Sequence, residues 1–200
     1  LVQRVGFSGQ NGSAAYANIV YHEGKFYGTT VSGGGTVDQL SNFGVIFQWD
    51  PETNVLTKKH DFDNANGRHP YGALTFFGGK FYGTTQSGGV SDRGVLFEWD
   101  PASNEYNKLI DFTDASRHPT GDLTLLNGKL YGTTNSGTGS YGSLFEFDPV
   151  SNTISKSVTL TNHQNGSHPT GSFTAVNDKL YGLLGGSSYG VFFEWDPVAN

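Results

Sequence analysis

The chain alternates short apolar runs with tight polar turns and nowhere sustains a helical period. "GALTFF" (72–77) ends in "GG", and "KFYGTT" (80–85) follows at once. Two apolar runs separated by two such turn residues predict a β-hairpin with a primed turn. A Gly/Ser loop then leads into "GVLFEWD" (94–100), where Val95, Leu96, Phe97 and Trp99 put apolar side chains on both faces. A sheet packed between two neighbours needs that pattern. Asp-Pro-x-x-Asn turns the chain, with Pro presetting φ and Asn tolerating the left-handed region. "EYNKLIDF" (105–112) reads as a fourth strand. No window repeats apolar residues at helical spacing, so the expected helix content is near zero.

This four-strand pattern recurs. "GKFYGTT" begins at Gly24 and Gly79, "GKLYGTT" at Gly128 and "DKLYGLL" at Asp178, while "GVIFQWDP" (44–51), "GVLFEWDP" (94–101), "GSLFEFDP" (142–149) and "GVFFEWDP" (190–197) keep step with them. Four-stranded antiparallel units at a period of about fifty residues define propeller blades. The expected fold is therefore all-β, a four-bladed β-propeller in one domain over residues 1–200. Its repeats run approximately 14–62, 69–112, 118–160 and 168–200. The last unit stops after its third strand and turn, and "LVQRVGFSG" (1–9) aligns with a fourth strand. The N-terminal strand is thus expected to complete the last blade and close the ring; two chains pooling their blades into a ring of eight is the alternative.

Composition narrows the function. The 200 residues include 29 Gly and 14% aromatics but only 15% charged residues, and the net charge is −6. Without a basic stripe, a nucleic-acid groove is not expected. No apolar run approaches the length of a membrane span. The absence of Cys and Met rules out a thiolate metal site and a cysteine nucleophile. Starting at Leu1 without Met, the chain reads as a processed product, and its low charge and abundant small polar residues fit an extracellular or cell-surface setting. Asn11 and Asn165 head N-x-Ser sequons, relevant only to a eukaryotic secretory pathway.

The order His-Pro-x-Gly, hairpin, Gly-Lys-Leu/Phe-Tyr-Gly-Thr-Thr, Gly-rich loop and Gly-Val-x-Phe resembles the GloVer tandem repeat. The likeness covers all four units. It implies a kelch-like propeller in a secreted or surface-anchored bacterial protein, without a shared reaction. The first unit departs from it with "SAAYA" (13–17) in place of His-Pro-x-Gly, and the last with "GLLGG" in place of Gly-Thr-Thr.

In a propeller the four-to-one and two-to-three connections share one face, where loop length and content vary here, and binding loops belong there. His69, His118 and His168 enter the innermost strands. As a ring of imidazoles they would bind an anion, a sugar or a metal ion; as joints they would hydrogen-bond a neighbouring blade. Repetition in three blades favours the joint, since catalysis seldom needs one residue three times. The breaks in the repeat single out Arg68, Tyr71, Asp92, Arg93, Arg117, Tyr141 and Tyr189 as ligand candidates beside the three histidines, with Asp38, Gln39 and Asn42 on the long first loop. Aromatic faces beside Arg, Asn and Asp suit a saccharide.

Asp50, Asp100, Asp148 and Asp196 lack the spacing of a calcium loop and are expected to cap their own turns. Glu98, Glu146 and Glu194, with Gln48, are expected to meet Lys58, Lys108 and Lys156 across the ladder. Tyr27, Tyr82, Tyr131 and Tyr181 read as core residues with a hydroxyl partner. No nucleophile elbow, phosphate loop or His-Glu-x-x-His helix is present. No cofactor or metal is expected. The function expected is a secreted or surface non-enzymatic module that binds a glycan or protein, or packs with copies of itself into a homo-oligomer. The alternative is a carbohydrate-active hydrolase or lyase using Arg68, His69, Arg117 and His118.

Overall fold

The computed structural model describes residues 2–35, 42–137, 139, 141–161, 166–169, 171–186 and 190–199, and among them there is no α-helix. The first sheet joins β1 (Val20–His22), β2 (Lys25–Thr30), β3 (Val45–Asp50) and β4 (Val55–Asp61) in sequence order. The second joins β5 (Thr75–Phe77), β6 (Lys80–Thr85), β7 (Val95–Trp99) and β8 (Tyr106–Asp111) in the same way. In the third, β10 (Thr124–Leu126), β11 (Lys129–Gly137), β12 (Ser143–Asp148) and β13 (Thr153–Thr159) repeat that order, and β9 (Ser116–Pro119) adds to the far end of β11. The fourth holds β14 (Ser167–Pro169), β15 (Thr174–Val176), β16 (Lys179–Gly185) and β17 (Val191–Trp195), with β16 central. All pairing is antiparallel, as two-residue hairpins demand. Each sheet is one blade.

Turn chemistry sets the hairpin face. Asn54, Asn104 and Asn152 adopt positive φ (56°, 61° and 55°) at the end of the Asp-Pro turns. The Asp50 carboxylate accepts the backbone N–H groups of Glu52 and Thr53, and Asp100, Asp148 and Asp196 repeat this within their own turns. Those backbone bonds hold Asp50, Asp100 and Asp196 below the usual carboxylate range.

The core lies between blades rather than within them. Tyr27, Ile46 and Phe62 of the first blade pack against Leu74, Phe81, Phe97 and Trp99 of the second. Tyr82, Leu96 and Phe112 meet Leu123, Leu130, Phe145 and Phe147 of the third, and Tyr131 and Leu144 meet Phe173, Leu180 and Trp195 of the fourth. Strands apolar on both faces are thereby explained, since each sheet supplies a wall to two seams.

Three expectations need correction. Residues 2–8 form no strand and complete no sheet; they lie on the first blade, with the Phe7 ring edge-on to Phe47 at 5.1 Å. The Lys partners of the strand-three carboxylates come from strand two: Lys80–Glu98 at 2.5 Å, Lys129–Glu146 at 2.6 Å and Lys179–Glu194 at 2.6 Å. Lys58 and Lys108 instead pair with Asp61 and Asp111 on their own strands, and Lys156 donates to the Pro197 carbonyl of the next blade. Finally, the His-Pro segments of the last two blades are short strands, β9 and β14, extending the sheets beyond the hairpins.

Candidate functional site

The loop face is built from the chain's crossings between blades. At the entry to the second blade, Arg68 and Ser87 exchange backbone hydrogen bonds, so the four-to-one crossing is held against the two-to-three loop of the blade it enters. His69, His118 and His168 follow in the left-handed region, φ 57°, 58° and 51°. Their backbone N–H groups donate to the Phe43, Arg93 and Tyr141 carbonyls of the preceding blade at 2.9, 2.9 and 2.8 Å. The next residue, Pro70, Pro119 or Pro169, packs on Gly44, Gly94 or Gly142 of that same loop. The three histidines therefore share a backbone role as joints.

Their rings do not share one. His69 Nε2 lies 3.2 Å from the Asn42 carbonyl and so carries the proton, leaving Nδ1 to accept from Arg68 Nη1 at 3.3 Å. His118 Nδ1 lies 3.0 Å from the Gln86 carbonyl, and His168 Nδ1 meets Ser167 Oγ at 2.9 Å. Burial, helped by the Arg68 charge, pushes the His69 imidazolium below the usual histidine range despite its bond to Asn42. With both ring nitrogens engaged by the scaffold, His69 braces the crossing.

The charged candidates pair with one another. Arg68 Nη2 grips both oxygens of Asp92 at 3.1 and 3.0 Å, and its guanidinium lies 6.0 Å from the Phe43 ring centroid. Asp92 also accepts the Gly88 N–H, and that bond together with Arg68 outweighs desolvation and lowers its carboxyl. Arg93 Nε meets Asp114 at 2.6 Å, and Arg117 stands 3.7 Å from the same carboxylate. Asp114 was invisible as a partner in the sequence because it lies on the crossing that follows the blade. The Nε donors of Arg68 and Arg117 are buried without a hydrogen-bond partner among the described residues.

Tyr71 adds what the charged groups lack. Its ring stacks on that of Tyr16, 6.3 Å between centroids and 3° between planes, with Tyr16 72% and Tyr71 37% exposed. Tyr16 sits in the unit without His-Pro, yet both tyrosines come two residues after a left-handed residue, Ala14 or His69. That common offset was the signal for Tyr16. Tyr141 contributes its carbonyl to the joint at His168. Asn42 holds the first loop by accepting the Gly33 N–H at 2.8 Å. Asp38, Gln39 and Tyr189 lie outside the described residues.

On the opposite face the tyrosines of strand two close the Lys–Glu pairs: Tyr131 Oη donates to Glu146 at 2.7 Å and Tyr181 Oη to Glu194 at 2.8 Å. Desolvation and Glu98 push the Tyr82 hydroxyl up to about 12. Burial raises Glu146, but donors from Lys129, Ser155 and Tyr131 outweigh it and hold the carboxyl below the ordinary range. Among the described residues no three His, Asp or Glu side chains gather closely enough to hold a metal ion.

Four such sheets, packed face to face and joined at one repeated hinge, define a β-propeller repeat module. The chain belongs to the Gloeobacter/Verrucomicrobia repeat family, whose model matches residues 3–198. No curated protein matches it. Among solved structures it is similar to TolB from Acinetobacter baumannii (15% identity, TM-score 0.53, 87% of this chain and 41% of that one) and to a chain of the Mitotic Checkpoint Complex (13%, 0.52, 78% and 43%). Both likenesses speak for the propeller fold alone. The chain spans less than half the length of either, and no helix among its described residues is long and apolar enough to cross a membrane.

Proposed function

We propose that this chain is a non-enzymatic binding module of the cell surface or extracellular space, which recognises a glycan with its loop face. The observation that carries this is the stacked, exposed pair of Tyr16 and Tyr71. Exposed aromatic faces are costly to leave in water and supply the flat apolar surface that a sugar ring covers. The surface setting is supported by the low charge and the abundant small polar residues. Against the hydrolase or lyase alternative, Arg68, His69, Arg117 and His118 are engaged by carboxylates or carbonyls of the scaffold.

The test is titration of the chain with a panel of neutral and acidic oligosaccharides by calorimetry, for wild type, Tyr71→Ala and Tyr16→Ala. Binding that weakens about tenfold in each variant, the equivalent of a lost stacking contact, is expected. Variants that bind as wild type, or a panel with no binder, would overturn the reading, and capture of a protein ligand instead would replace the glycan.

A further inference from the structure

In the third and fourth blades a carboxylate on strand three is held by two donors from strand two. Lys129 donates to Glu146 Oε1 at 2.6 Å and Tyr131 to Oε2 at 2.7 Å, and Lys179 and Tyr181 hold Glu194 in the same way at 2.6 and 2.8 Å. An ammonium and a hydroxyl at this spacing therefore fit the two oxygens of one carboxylate. The first blade keeps both donors, Lys25 and Tyr27, but sets Gln48 opposite Tyr27. A carboxamide carries no charge and offers one acceptor oxygen where a carboxylate offers two. Among the described residues, Lys25 Nζ, Tyr27 Oη and the Gln48 carboxamide make no hydrogen bond or ion pair.

Three further departures from the repeat meet at the same place. His22, opposite Lys25, stands in the register of Phe77, Leu126 and Val176. Lys59 follows Lys58 where Leu109 follows Lys108 and Ser157 follows Lys156, and Glu23 replaces Gly78, Asn127 and Asn177 in the turn. Gln48, His22, Lys59 and Glu23 all line one hollow of about 620 Å³, together with Lys25 and Tyr27. Phe76, Pro101 and Ala102 of the second blade form its other wall. The hollow thus opens at a seam between two complete four-stranded sheets.

Its charge balance favours an anion. Lys59 Nζ, like that of Lys25, has no hydrogen bond or ion pair among the described residues. The Lys25 charge reaches Asp50, but that carboxylate is taken up by the N–H groups of Glu52 and Thr53. Glu23 is the carboxylate of the lining; its side chain is 82% exposed, at the rim, 3.8 Å from His22 Nε2. The His22 ring lies on that of Phe76, 3.8 Å between centroids and 30° between planes, so an apolar wall stands beside the ammonium groups.

We propose that this hollow is a second binding site, which takes the carboxylate of a small organic acid. Lys25 and Tyr27 donate to one oxygen each, Lys59 adds its charge, the Gln48 N–H2 group donates, and the paired rings carry the body of the ligand. This goes beyond the loop-face reading, because these residues lie on the hairpin face.

The test is a backbone-amide NMR titration of the full chain with acetate, benzoate and glucuronate, against glucose and benzyl alcohol at matched ionic strength. The carboxylates are expected to shift the amides of residues 22–27, 48 and 101–102 to saturation, and the uncharged compounds to leave them in place. Lys25→Gln should weaken binding about tenfold or more, as the loss of a charged hydrogen bond requires. Gln48→Glu supplies the chain's own carboxylate to Lys25 and Tyr27 without harm to the fold and should weaken binding as much. Val150→Ser, on an exposed turn of the third blade, should leave it unchanged. The proposal is overturned if no carboxylate moves these amides, or if binding survives Gln48→Glu. Sulfate and phosphate that move the same amides as strongly overturn it too, since the attraction is then for any anion. Tyr71→Ala reads the loop face and Gln48→Glu this hollow, so failure of one reading leaves the other standing.

Discussion

Ala14 and His69 hold the same left-handed backbone position, φ 53° and 57°, at the entries to the first and second blades. The Ala14 carbonyl accepts the Val31 N–H at 3.0 Å as the His69 carbonyl accepts that of Gln86 at 3.0 Å. The conformation thus belongs to the joint rather than to the imidazole, and a residue without any ring adopts it. Left-handed backbone costs an L-residue roughly 1–2 kcal/mol, least for Gly and little for Asn. Ala14→Gly is therefore expected to stabilise the fold by about 1 kcal/mol, less the added freedom of the unfolded chain. His118→Asn should shift the urea midpoint little, while His118→Val should lower it clearly.

The inner strands approach so closely that side chains have no room at the axis. A Cβ on Gly121 would lie 2.7 Å from the Gly171 carbonyl. Gly121→Ala forces the third and fourth blades apart and should cost about 1–3 kcal/mol in denaturant unfolding. A midpoint unchanged from wild type would contradict the seam geometry.

Gln48 breaks the carboxylate series in the first blade, opposite Tyr27 as Glu146 is opposite Tyr131. Lys25 stands where Lys80, Lys129 and Lys179 make their ion pairs. Restoring the acid with Gln48→Glu should be neutral to stabilising, by up to about 1 kcal/mol. Glu146→Gln removes the charge facing Lys129 and turns one of two acceptor oxygens in a buried site into an N–H2 donor, and should cost about 1–3 kcal/mol. Paired thermal melts of the two variants test both signs.

Acid should weaken the fold in two stages. His60 stacks on Tyr106 at 4.0 Å, and burial there holds its pKa below the ordinary value despite Asp61 and Asp63 nearby. His69 shifts the same way. The folded state keeps both rings neutral, while the unfolded chain takes up protons near pH 6.5. Their contribution is thus complete above that pH and lost as pH falls through it towards the lower folded values. Asp92 and Glu146, also lowered, lose theirs below the usual carboxylate range. The melting temperature is expected to drop from pH 7 to pH 5, less steeply in His60→Phe, and more sharply below pH 4.5.

What the sequence determined by itself is what repeats. Four copies of one strand–hairpin–strand pattern, with Pro and Asn at fixed offsets in the turns, leave few folds open, because local backbone preference and two-faced apolar strands agree in every copy. Tyr71, Arg68 and Asp92 stood out as breaks in that repeat. Their relations did not. Asp114 as the partner of two arginines, Tyr16 stacked on Tyr71, and lysines paired from strand two depend on which side chains a crossing or a pleat turns towards each other. The fate of the ends belongs to tertiary structure for the same reason. The likeness of residues 1–9 to a fourth strand was legible, but closure depends on the rotation at each seam, which the packing of Phe, Trp and Gly between sheets decides and no local signal encodes.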